Sequence, residues 1–372
     1  MQILIAPDKF KGSLSALEAG QAMARGIQQV LPEAQLLIHP LADGGEGSLA
    51  ILQAPLQLAA IPLKTSDPLG RPIQSSYYYA AKTAFIELAT SSGLQRLVKR
   101  EYNPLQTTTL GTGQLVVDAI QKGFRQIYLF LGGSSSNDAG MGIAQALGYR
   151  FLDASGQVLP PCGASLAQIH QIDDAGLMDL SAVQFTLLCD VKNPLYGKQG
   201  AAWVYARQKG ASDAAIEYLD QGLRQFAQVV RVWKGMDLQA IEGGGAAGGI
   251  AAGLVGLLGA QIESGIDSIM ALTNFEKQVQ VADWVMSGEG KIDHQSLEGK
   301  VIEGVARLCQ QHQKPLFLLC GKNDLTDADL QALGITGIRS IMDHAPSLKV
   351  GMEEAGDYLA KAAVALVEKK LI

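Results

Sequence analysis

Short apolar runs alternating with amphipathic stretches at both ends of the chain, and a proline-bearing middle with period-2 runs, predict an α/β protein. The expected architecture is a discontinuous Rossmann/flavodoxin-like parallel-sheet domain, residues 1–65 plus 270–372. Inserted into it is a second α/β domain containing mixed sheet, residues 66–269. Ligands are expected in the cleft between the two, at strand C-terminal ends.

The elements follow in order. Residues 3–6 read as a strand, 14–31 as a helix and 36–39 as a strand. Residues 60–105 carry Pro62, Pro68, Pro72 and Pro104, with period-2 runs at 73–81 and 83–88 that suggest a hairpin. A helix at 112–122 leads to a strand at 126–131, and 143–147 reads as helix. Then come a strand at 185–189, a helix at 212–233 and a glycine-rich helix within 243–262. The C-terminal part reads as strand 284–286, helix 300–311, strand 315–320, helix 327–333, strand 338–341 and a closing helix 352–369. Two N-terminal strands alone do not make a stable doubly wound sheet, so the three late strands are expected to complete it.

Composition narrows the class. The 372 residues are 48% hydrophobic and 18% charged, ample for a substantial core, and the net charge is −6. With no basic patch interleaved with aromatics, nucleic acid is not an expected partner. Cys162, Cys189, Cys309 and Cys320 form no CxxC pair and read as small hydrophobes in a reducing compartment. Five scattered histidines offer no zinc cluster. Residues 243–262 carry no charge, yet hold eight glycines, too weakly apolar a mix to anchor in lipid. No basic segment precedes an apolar stretch at the start, so a cytoplasmic protein without a signal peptide is expected.

The chemistry sits in the turns. Gly132-Gly133-Ser134-Ser135-Ser136-Asn137-Asp138 lies between a strand and a helix start. Small residues admit an anion to the backbone, helix-start amides point at it, and the serines and Asn137 add neutral donors. Asp138 adds a carboxylate that could hold a metal or take a proton. The same residues would also make an ordinary capped turn. After the first strand come Asp8, Lys9 and Lys11, where a lysine could meet phosphate or carboxylate, and Ser13 or Ser15 could cap the helix, with Glu18 completing a capping box. After the second come Asp43-Gly44-Gly45-Glu46, reachable carboxylates suited to a metal or to substrate hydroxyls. Thr107-Thr108-Thr109 reads equally as a phosphate-facing loop or an N-cap cluster. Asp190, ending a strand before Asn193-Pro194, is placed as a general base or a turn cap. Glu289, Lys291 and Asp293 read as a charged loop after the strand at 284–286. No Walker A loop, protein-kinase signature or GxSxG elbow is present, and the GxGxxG match at 243–248 follows a poor strand.

Taken together, these segments resemble the bacterial glycerate kinase family, type 1. The resemblance runs through Ala6-Pro7-Asp8, Phe10-Lys11-Gly12-Ser13, Ala42-Asp43-Gly44-Gly45-Glu46-Gly47 and the Gly132–Asp138 run. It continues through Cys189-Asp190-Val191, Asn193-Pro194-Leu195, Gln208-Lys209-Gly210-Ala211, the glycines at 243–249 and Ser287-Gly288-Glu289-Gly290-Lys291-Ile292-Asp293. Departures are Lys9 for Ser, Ser136 for Thr, Ala139 for Gly and Lys291 for Arg. The resemblance implies ATP-dependent phosphorylation of D-glycerate with Mg2+, usually to 2-phosphoglycerate, with 3-phosphoglycerate assigned to related enzymes. On that basis Asp190 is expected as the base and Lys11 as the charge-screening cation. Asp8, Ser13, Asp43, Gly44, Gly45, Glu46, Gly132–Asn137, Asn193, Glu289 and Lys291 are expected at substrate and phosphate. Asp43, Glu46, Asp138 and Asp293 form the pool for magnesium, with Asp138 and Asp293 foremost.

Overall fold

The computed structural model describes residues 1–45, 47–293 and 300–371. Among them the strands run β1 (Gln2–Pro7), β2 (Gln35–Ile38), β3 (Ala59–Ser66), β4 (Pro72–Ala80), β5 (Thr83–Glu87), β6 (Gln126–Phe130), β7 (Arg150–Leu152), β8 (Gln171–Asp173), β9 (Gln184–Leu188), β10 (Gln261–Glu263), β11 (Trp284–Ile292), β12 (Leu316–Asn323) and β13 (Ile335–Ser340). They divide between two compact units, Met1–Asp43 with Ala50–Leu56 and Ser264–Ile372, and Gly44–Leu49 with Gln57–Glu263.

The first unit holds an all-parallel sheet ordered β13-β12-β11-β1-β2, assembled from both ends of the chain. Its central strands bury nearly every side chain, from Ile3 to Ala6 and from Leu316 to Cys320. That is why they read as continuous apolar runs. The helix Ala16–Val30 starts where expected, with Ser15 and Glu18 forming the capping box. It packs on the helix Ala355–Leu371, and a Cβ at Gly26 would lie 2.2 Å from the Ala360 carbonyl oxygen. A core of Ile3, Ile5, Met23, Ile27, Met286, Phe317 and Leu359 lies under these helices.

The second unit holds a six-stranded mixed sheet ordered β10-β9-β6-β5-β4-β3. β10, β9, β6 and β5 are parallel, and β5, β4 and β3 are antiparallel, which includes the expected hairpin. A separate antiparallel pair joins β7 and β8.

Four readings change. The segment Ser287–Asp293 is largely strand: β11 continues through Glu289 and Lys291 to Ile292, held by β12 as far as the Ile292–Asn323 pair. Its glycines are a packing requirement, since a Cβ on Gly288 would lie 2.0 Å from the Leu319 carbonyl oxygen. Next, β3 was hidden by Pro62. Proline is tolerated there because β3 is an edge strand. Finally, the glycine-rich helix spans Ala246–Leu258 but carries left-handed backbone at Ala247, Gly248 and Gly249, so it is broken at its start. The closing helix is two helices, Leu348–Glu353 and Ala355–Leu371. Among the described residues, no helix is long and apolar enough to cross a membrane.

Candidate active site

Each unit gathers expected residues at the C-terminal ends of its parallel strands. In the first unit, the loop after β1 is tied to β11 by the Asp8 amide, which donates to the Gly288 carbonyl at 2.8 Å. Gly290 lets that loop lie close: a Cβ there would meet the Lys11 nitrogen at 3.2 Å. Asp8 is 6% exposed, and burial, helped by Asp43 and Glu289, pushes its pKa up to about 7 against the Lys9 amide hydrogen bond. Asp8, Asp43 and Glu289, on or after three neighbouring strands, therefore form one electrostatic group. Lys11 is exposed. Ser13 is exposed, and its hydroxyl donates to the Phe10 carbonyl at 3.1 Å.

Lys291 and Asp293 pair with each other at the end of β11. Lys291 Nζ lies 2.8 Å from Asp293 and 3.1 Å from Asp324, and the two carboxylates raise its pKa. Glu46 lies outside the described residues. Gly44 takes left-handed backbone, and the Ser48 hydroxyl donates to the Gly45 carbonyl at 2.7 Å.

In the second unit, the loops after the neighbouring strands β6 and β9 carry the remaining residues. Gly132 and Gly133 make the outer turn, but Ser134, Ser135, Ser136, Asn137 and Asp138 are all buried. Most of their polar atoms face protein. The Ser135 hydroxyl donates to the Ser92 carbonyl, and the Thr107 hydroxyl donates to the Ser135 carbonyl. Asp138 Oδ2 accepts from the Thr109 amide at 2.9 Å, the Thr109 hydroxyl at 2.7 Å and the Gly142 amide at 3.3 Å. Its Oδ1 accepts from the Ser136 hydroxyl at 3.1 Å and the Gly140 amide at 3.3 Å. The Ile143 amide donates to the Thr109 hydroxyl. The helix-start amides expected to face an anion are thus taken up by Asp138 and Thr109. Burial still raises the Asp138 pKa, with the Thr109 and other hydrogen bonds opposing it.

Asn137 is the exception. Its side chain is fully buried, and neither Nδ2 nor Oδ1 has a hydrogen-bond partner among the described residues. Lys209, 2% exposed, reaches the same loop: Nζ donates to Ser134 Oγ at 2.7 Å and to the Ser136 carbonyl at 2.6 Å. Burial pulls its pKa down to about 7, only partly offset by the Asp138 charge. Sequence reasoning passed over the role of Lys209. The family-like segment 208–211 contains it, but its role is hidden because its partners lie more than 70 residues away.

Asp190 follows β9, half-buried. Asn193 braces that loop: its Nδ2 donates to the Gln199 carbonyl at 2.8 Å and its Oδ1 accepts from the Tyr205 hydroxyl at 2.5 Å. The glycine-rich segment holds both loops. The Gly245 amide donates to the Asn193 carbonyl at 2.9 Å and the Ala139 amide to the Gly248 carbonyl at 3.2 Å. A Cβ on Gly248 would lie 2.3 Å from the Ser136 carbonyl oxygen, and one on Gly253 would lie 1.8 Å from that of Ala139. Among the described residues, no group of three or more His, Cys, Asp or Glu side chains forms a ready metal cage.

One sheet thus carries carboxylates and a lysine at its strand ends, the other a buried lysine, an amide and a carboxylate, in an α/β protein without a Walker A loop. Comparison with known proteins gives the particular class. The model of the glycerate kinase family matches residues 3–369. A glycerate kinase of Halalkalibacterium halodurans is 39% identical over 364 residues, 97% of this chain and 96% of that one. The glycerate 2-kinase of Escherichia coli is 38% identical over 368 residues, 98% of this chain and 96% of that one. A crystal structure from Salmonella typhimurium LT2 shares the fold over 100% of both chains, at a TM-score of 0.83 and 36% identity. The chain belongs to the glycerate kinase family and is a kinase of that family.

Proposed function

We propose that the enzyme transfers the terminal phosphoryl group of ATP to the 2-hydroxyl of D-glycerate, giving 2-phosphoglycerate and ADP. The choice of the 2-position follows the description of the Escherichia coli relative. The observation that carries the reading is the Asn137 amide, buried without a partner beside the Lys209 ammonium. A buried polar group left unmatched is costly, so its native partner is expected to be a ligand. Glycerate, with a carboxylate and two hydroxyls, supplies both an acceptor for Nδ2 and a donor for Oδ1.

In this reading the substrate hydroxyl oxygen bonds to the γ-phosphorus as the bond from phosphorus to the ADP oxygen breaks. Asp190 takes the hydroxyl proton. Lys11, on the exposed loop after β1, screens charge on the transferring group. Asp8, Asp43 and Glu289 would lend carboxylates to a magnesium ion without forming a complete cage by themselves, and burial first, with the other two charges second, raises the Asp8 pKa to about 7. When bound, magnesium would neutralise phosphate oxygens, with its shell completed by the nucleotide and water. Asp138, with its oxygens engaged by internal donors, and Asp293, paired to Lys291, suit positioning better than cation binding.

The test is phosphorus NMR of the mixture formed from D-glycerate and ATP. A 2-phosphoglycerate resonance growing with ADP supports the reading. A 3-phosphoglycerate resonance rejects the regiochemistry, and no turnover of D-glycerate rejects the substrate.

A further inference from the structure

Lys209 stands out among the buried charged groups that the mechanism above leaves without a step. It precedes Gly210, whose left-handed backbone lies so close to the chain at Tyr102 that a Cβ would sit 2.2 Å from the Tyr102 carbonyl oxygen. That close packing fixes the lysine backbone, and the side chain is then sealed from water with two of its three donors on Ser134 and Ser136. A buried ammonium is expensive, and a hydrogen-bonded but uncompensated one more so than its ion-paired counterpart. Asp138 is the charged neighbour it feels, and that carboxylate is engaged by Thr109, Ser136, Gly140 and Gly142. The missing element is an anion.

We propose that Lys209 is a positioning residue that presents the Ser134–Asn137 loop to an anionic oxygen group, and that its ammonium is completed by that group. Because Ser134 Oγ accepts from Nζ, the serine hydroxyl hydrogen is left to point at a ligand. The Ser136 carbonyl, held by the same ammonium, fixes the backbone beside Asn137. The anion is a carboxylate or a phosphate, the two groups the reaction offers. This rests on reading the second unit's loops as part of the substrate site.

The consequence is proton linkage. Free Lys209 is about half charged near neutral pH. An anion arriving beside it restores the charge, so binding above pH 7 takes up a proton. The experiment is titration calorimetry of the full-length enzyme at pH 8 in buffers of differing ionisation enthalpy. D-glycerate and ADP are titrated separately, which distinguishes carboxylate from phosphate. For one of the two ligands the wild type is expected to take up close to one proton, falling towards none by pH 5.5. Lys209→Arg, charged throughout, is expected to bind without uptake. Lys209→Met is expected to bind about 10–100-fold more weakly, the scale of a lost charge-assisted hydrogen bond. Ser134→Ala keeps Lys209 and is expected to weaken binding while retaining uptake, which gives a readout should the lysine variants fail to fold. Binding of both ligands by the wild type without proton uptake, or undiminished uptake in Lys209→Arg, overturns the proposal. Neither result touches the glycerate kinase reading, which the phosphorus NMR decides separately.

Discussion

Asp138→Ala removes the acceptor around which the hydroxyl loop of the second unit is organised. The amides of Thr109, Gly140 and Gly142 lose their acceptor, and all three sit in buried backbone. Each buried donor left unmatched costs roughly 1–3 kcal/mol, so the loss is about 3–6 kcal/mol even with partial relaxation. That is a large share of the ~5–15 kcal/mol that holds an ordinary domain. Asp138→Asn should cost far less. Its amide oxygen can face Thr109 while its NH2 group faces the Ser136 hydroxyl, which can turn to accept. Only the Gly140 amide then goes unmatched, about 1–3 kcal/mol, and no buried charge needs solvating. Urea unfolding reports the difference through Trp203 and Trp233, both in this unit. Hydrogen exchange over residues 105–145 locates it. If Asp138 instead holds magnesium, Asp138→Asn leaves the urea midpoint in place and raises the magnesium concentration needed for half-maximal rate tenfold or more. That pair of results, or an Asp138→Ala midpoint matching the wild type, refutes the scaffold argument.

Asp190→Asn should fold normally and turn over roughly 10²–10⁴-fold more slowly at saturating substrates. A steady-state rate within threefold of wild type removes it as the base. Ala139→Gly should stabilise the enzyme by about 0.5–1 kcal/mol, because Ala139 sits at φ 50°, where an L side chain is strained and glycine is not. An unchanged or lowered urea midpoint counts against that strain. Asp8 has its folded pKa raised to about 7, so its contribution is fully present below the unfolded value near 3.8 and fades as pH climbs through 7. Without divalent cations, Asp8→Asn should therefore match the wild type in melting temperature near pH 4 and exceed it by a widening margin up to pH 8. Parallel melting curves across that range dismiss the raised Asp8 pKa, which burial causes first and the Asp43 and Glu289 charges second.

The parts legible in the sequence are those set by local pattern. The strand at β1, the Ser15–Glu18 capping box and the β4–β5 hairpin rest on periodicity or on residues within three positions of each other. The hydroxyl loop after β6 and the carboxylates near β1, β2 and β11 were visible as residue types. What escaped depends on distant partners. The charged stretch through Glu289 and Lys291 looks like a loop by composition, yet pairing with β12 makes it strand. Exposed-looking serines proved buried because Ser92, Thr107 and Lys209 supply their partners. Lys209 itself has an unremarkable neighbourhood, and only its burial and its two contacts separate it from a surface lysine.

The glycine-rich segment shows how that long-range dependence fixes a site. As sequence it is an uncharged stretch with a weak helical pattern, and its GxGxxG match suggests the wrong chemistry. In the fold, Gly245 bonds the Asn193 carbonyl and Gly248 the Ala139 amide, so one backbone sets the spacing of the loops that carry Asp190 and Asn137. The left-handed turn at 247–249 is what lets it touch both, and Gly253 continues the contact one helical turn later. Any side chain at Gly248 or Gly253 must push the Ser136–Ala139 backbone outward by an ångström or more to reach ordinary contact distance. Displacements of that size are enough to spoil a positioned phosphoryl acceptor. Substitutions in this apparently featureless stretch should therefore behave as active-site substitutions, lowering turnover before they lower stability.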